Sequence, residues 1–126
     1  MTLKFYSEET DMIESLGVNT EQIILGKNDT LVIARKLCRH FKFREPEIKF
    51  YGTRDSGSMI GHWIRVSKTP SLYVLIHELA HVYNGEKFYN DRHTKKLMST
   101  IMRFTKYCMK KNFWGLDKPR EVILDG

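Results

Sequence analysis

His77-Glu78-Leu79-Ala80-His81 sets two imidazoles four residues apart, with a carboxylate beside the first. On a helix, positions i and i+4 lie about 40° apart, so both imidazoles leave on one side. Two neutral ring nitrogens so placed can bind one zinc ion. The glutamate can reach a water on that metal without ligating the metal itself. This is the arrangement a zinc peptidase needs. The surrounding run, Leu72 to Tyr83, is apolar nearly all round and reads as a buried helix, with Pro70-Ser71 at its start and Gly85 as its stop. Burial makes an accidental motif costly. Glu78 would need a partner in a low-dielectric interior, and each imidazole would need its polar atoms satisfied. One zinc per chain answers all three demands.

Catalytic zinc usually takes three protein ligands and one water. His93 is the leading third ligand. On a wheel of the last helix it falls about 100° from Arg92, at the edge of the apolar face, and points inward. Asp91 and Glu86 are its rivals, although Asp91 is more simply an N-cap. In this scheme Glu78 takes a proton from the attacking water and passes it to the leaving amine. The oxyanion of the transition state wants another donor, for which Tyr83, Tyr89 and His62 are candidates. His62 otherwise reads as an ordinary strand histidine.

These residues need a scaffold. Ser7 to Leu16 can form a short helix that stops at Gly17. Asn28 or Asp29 caps a stronger helix to about Phe43, with Leu31, Ala34, Leu37, Cys38 and Phe41 on its apolar stripe. Glu47 to Tyr51 alternates like a strand, as does Ser58 to Ser67, with Ile60, His62, Ile64 and Val66 facing one way. The second of these offers an edge along which an extended substrate can pair. Asp91 caps a last helix to about Lys111, carrying Leu97, Ile101, Phe104 and Cys108 inward. The pattern predicts one α+β domain over residues 1–126, with its core at about 28–111. In it a small antiparallel sheet packs against the buried His-Glu helix, the preceding amphipathic helix and the long C-terminal helix.

The 126 residues carry a net charge of +6, which favours an anionic partner only weakly. Arg92, Lys96, Arg103, Lys106 and Lys110 share one face of the last helix, and Lys111, Lys118 and Arg120 extend it. That face is either a phosphate-tracking surface for DNA or RNA or simply the solvated side of a surface helix. Trp63 and Trp114 are candidate stacking partners for bases, and equally core or rim residues. No run of 18 apolar residues and no secretory leader is visible, and Cys38 and Cys108 read as free buried thiols. The expected setting is the cytoplasm, with no membrane partner.

Residues 30–110 resemble the SprT-like zinc peptidases and, more broadly, the compact gluzincin-type metallopeptidases. The resemblance rests on the order of Leu37-Cys38-x-x-Phe41, then Gly57-Ser58…Gly61…Ile64-Arg65-Val66-Ser67, then His77-Glu78-Leu79-Ala80-His81, then a histidine opening the next helix. The family's H-G-x-x-F motif reads His93-Thr94-Lys95-Lys96-Leu97 here, so threonine replaces the glycine and leucine the phenylalanine. The four-cysteine ribbon of some members is absent. The resemblance implies a zincin-like fold, metal ligands at His77, His81 and His93, Glu78 as general base, and protein substrates, in some members proteins crosslinked to DNA. It also implies a compact core of the kind common in phage and mobile-element genes. Two other classes fit the residues. One is a zinc-stabilised, non-catalytic module that binds protein or nucleic acid. The other is a basic DNA-binding domain with an incidental motif.

Overall fold

The computed structural model describes residues 17, 19–53, 57–60, 63–85 and 95–111. They form an α+β arrangement of three helices and one three-stranded sheet. The helices are α1 (Lys27–Phe41), α2 (Leu72–Tyr83) and α3 (Lys95–Lys111), and the strands are β1 (Glu47–Phe50), β2 (Gly57–Ile60) and β3 (Trp63–Val66). The expected helix at Ser7–Leu16 lies outside the described residues.

The sheet is mixed rather than purely antiparallel. Its order is β1-β3-β2. β1 runs parallel to β3, Ile48 opposite Ile64, while β2 runs antiparallel to β3, Met59 opposite Ile64. The alternating run Ser58–Ser67 is therefore not one strand but two arms of a hairpin, with Ile60 opposite Trp63. An alternating pattern read straight through a two-residue connection loses its phase there, because the chain reverses. β3 is consequently the central strand and offers no edge. Among the described residues, the edges are β1 on one side and β2 on the other.

α1 begins two or three residues earlier than expected. Its N-cap is Gly26, not Asn28 or Asp29. Asp29 lies within the first turn, where a carboxylate suits the positive end of the helix dipole. Thr30 is buried and its hydroxyl donates to the Gly26 carbonyl at 2.7 Å. The inward stripe is Thr30, Ile33, Ala34, Leu37 and Cys38, whereas Leu31 is 37% exposed. A threonine that satisfies itself on a backbone carbonyl can occupy a core position, and that turns the stripe away from Leu31. The helix ends at Phe41, and Lys42 adopts a left-handed conformation at φ 58°.

α2 holds the centre. Ser71 caps it, its hydroxyl accepting from the Val74 amide at 3.2 Å. Gly85 follows the other end at φ 72°, the left-handed stop that glycine adopts without strain. Leu72, Leu75, Ile76, Leu79 and Ala80 are buried within one cluster with Ile33 and Leu37 of α1, Ile64 and Val66 of β3, and Leu97, Ile101 and Phe104 of α3. α2 thus packs on α1, α3, β2 and β3 at once, which explains why its sequence is apolar nearly all round. Upstream residues fasten its start. The Leu25 amide donates to the Pro70 carbonyl and the Leu72 amide to the Ile23 carbonyl, at 2.9 and 2.7 Å.

Candidate metal centre

His77 and His81 leave α2 on one side, and their Nε2 atoms stand 3.2 Å apart. Two nitrogens bound to one tetrahedral zinc, each about 2.05 Å from it, are separated by about 3.3 Å. The separation of the pair therefore matches that of two ligands on one zinc. A hydrogen bond between two neutral imidazoles would span the same distance, with one ring nitrogen donating. His81 is buried and His77 half-buried. The rings meet edge to face with centroids 4.9 Å apart. Tyr73, one turn before His77, continues the row, its ring centroid 5.9 Å from that of His77. The sequence signal for Tyr73 was its i−4 spacing from His77.

Glu78 leaves the helix about 100° from His77 and about 60° from His81. It is only 6% exposed. Its side chain lies against the start of β2: a Cβ placed on Gly57 would meet Glu78 Cγ at 2.9 Å and Oε2 at 3.1 Å. Strand and carboxylate can come this close only because residue 57 has no side chain. A glycine at a strand position is a signal of such close approach by another group.

Among the described residues, no set of three histidine, cysteine or carboxylate side chains is gathered to hold a metal. The imidazole pair is thus the described part of the candidate centre, and Glu78 is not a third member of it. His93, Asp91 and Glu86, the three candidates for the remaining ligand, lie outside the described residues, as do His62, Tyr89, Arg92 and Trp114.

Tyr83 does not face the pair. It lies two residues beyond His81, about 200° round the helix. Its ring meets Phe43 at 5.3 Å, Phe104 at 5.5 Å and Phe41 at 6.2 Å. Tyr83 is therefore a poor oxyanion donor and part of an aromatic cluster instead. Lys96, Arg103, Lys106 and Lys110 are exposed on α3, opposite the buried Leu97, Ile101, Phe104 and Cys108, as its pattern predicts. Trp63 is half-buried, with the Lys49 ammonium 4.3 Å above its ring, so that face of the indole is already covered by a cation.

Cys38 and Cys108 are free and buried. Burial pushes both thiols up to about 12, with the charge of Glu45 adding to the effect at Cys38. Neither is poised as a nucleophile. No helix among the described residues is long and apolar enough to cross a membrane. In comparisons with models of known protein families, with curated proteins and with solved structures, nothing matches this chain.

Proposed function

We propose that this chain is a zinc-dependent peptidase of the SprT-like, zincin-like kind, hydrolysing peptide bonds with Glu78 as general base. The observation that supports it is the 3.2 Å separation of the His77 and His81 Nε2 atoms, with the buried carboxylate of Glu78 on the next position of the same helix. His93 is the proposed third ligand. Bound zinc would supply Lewis acidity toward a substrate carbonyl and lower the pKa of a water toward about 7.

The chain's own residues do the rest. Glu78 accepts a proton from the attacking water at a carboxylate oxygen and returns it to the leaving amine nitrogen as the carbon–nitrogen bond breaks. Packing of Glu78 against Gly57 restricts its rotamers, so the carboxylate is held in place before substrate arrives. β2, the edge strand beside Glu78, is the proposed guide for an extended peptide, through backbone hydrogen bonds. A module that merely binds its partner through zinc has no use for a carboxylate buried at this position.

The test joins metal content to turnover. Purified parent protein should hold about one zinc per chain, lost in His77→Ala and in His93→Ala. Glu78→Gln should keep the zinc and lower peptide hydrolysis by about 10²- to 10⁴-fold, the usual contribution of a general base. No zinc after reconstitution, or undiminished hydrolysis by Glu78→Gln, would remove the reading.

A further inference from the structure

Behind the aromatic cluster, between the end of α2 and the outer face of α3, lies a cavity of about 430 Å³ lined by Tyr83, Asn84, Lys96, Ser99, Thr100 and Arg103. Lys96 and Arg103 are seven residues apart, within about 20° on the helix, and Ser99 and Thr100 lie between them one turn from each. Among the described residues the lining therefore holds two cations, two hydroxyls, an amide and a phenol, and no carboxylate. Among the described residues, neither Lys96 nor Arg103 has a carboxylate within ion-pair distance.

Two further features show a prepared site. The Arg103 guanidinium lies 5.2 Å from the Tyr83 ring centroid and 5.8 Å from that of Phe41. Although the side chain is exposed, its contact with the two rings favours rotamers that keep the guanidinium beside the cavity. Asn84 meets Thr100, whose hydroxyl lies 2.9 Å from Asn84 Oδ1 and 3.1 Å from the Lys96 carbonyl and shares its one proton between these two acceptors. Asn84 Nδ2 is a buried donor with no hydrogen-bond partner among the described residues. A buried donor wants an acceptor.

We infer that this cavity binds a phosphoryl group, held between Lys96 and Arg103 and accepting from the Asn84 amide. Arginine provides a planar fork suited to phosphate oxygens, lysine a point charge, and Ser99 a further hydroxyl donor. The cavity is open to solvent on one side, so a phosphate bound there can carry an organic group that extends outward. The ligand is thus a phosphate carried on an organic group: a free mononucleotide or one unit of a nucleic-acid strand. The inference is independent of zinc and of Glu78.

The test is an amide NMR titration of the whole chain with thymidine 5′-monophosphate, with a twelve-residue oligothymidine and with inorganic phosphate. Residues 99–103 and the Asn84 side-chain amide should shift saturably with at least one of the three. Ser99→Glu places a carboxylate at the rim and Lys96→Gln removes a cation, both at exposed helix positions that should leave the fold intact. Each should weaken binding by tenfold or more. Saturation by the mononucleotide identifies a free nucleotide. Saturation by the oligomer alone, weakening steeply with salt, identifies a strand phosphate. Absence of saturable shifts with all three, or equal affinity in the folded variants, overturns the inference.

Discussion

Gly57 and Glu78 are in contact across the gap between β2 and α2, so close that a Cβ on residue 57 would lie 2.9 Å from Glu78 Cγ and 2.8 Å from Val74 Cγ1. An aliphatic carbon cannot stay at those distances. The strand must retreat, or both side chains must turn.

Gly57→Ala should therefore act on the carboxylate and leave the imidazoles alone. Overpacking of this size costs about 1–3 kcal/mol. Zinc binding through His77 and His81 should persist, while hydrolysis falls at least tenfold, because displacing a catalytic group by a fraction of an ångström is costly. Zinc stoichiometry measured beside turnover checks this. Full activity in Gly57→Ala would show that the position of Glu78 against β2 does not matter.

The sequence made α2 legible almost to the residue, since Ser71, the apolar run and Gly85 each mark a boundary by a different physical signal. The imidazole pair was legible for the same reason: i and i+4 converge on any helix. The hairpin was harder. Gly61 is the local hint of a reversal, since glycine suits the first place of a two-residue hairpin connection, but the run alternates on both sides of Gly61-His62 and masks it. The stripe of α1 was misjudged at Leu31 because Thr30 counts as polar until its bond to Gly26 is known. The parallel pairing of β1 with β3 depends on contacts between distant segments, and no local pattern encodes it. The proximity of Gly57 to Glu78 is of that kind too.

The position of α1 can be tested through two neighbouring residues. Ile33 is 1% exposed and Leu31 is 37% exposed. Ile33→Ala should lower unfolding free energy by about 2–5 kcal/mol, the cost of truncating a core aliphatic side chain. Leu31→Ala should change it by about 0.5 kcal/mol or less. Urea denaturation of both variants separates the two registers. A larger loss for Leu31→Ala would return the stripe to the one expected from hydrophobicity alone.

The buried thiols set the response to alkali. Burial raises Cys108 from an ordinary 9.0 to about 12 in the native chain. Below pH 9 both native and unfolded chains hold the proton, so this group contributes its full stability there. Between pH 9 and about 12 the unfolded chain releases the proton and the native chain keeps it. The unfolded state then binds fewer protons, so stability falls as pH rises, by up to about 1.4 kcal/mol per pH unit for this thiol. Cys38, raised in the same sense, adds to the fall. Unfolding midpoints measured from pH 8 to 11 should drop more steeply for the parent than for Cys108→Ala, since alanine has no proton to lose. Native protein at pH 8 should also react slowly with a thiol reagent that modifies the unfolded chain at once. Parallel pH slopes for parent and variant would mean that the Cys108 thiol ionises as freely in the fold as outside it.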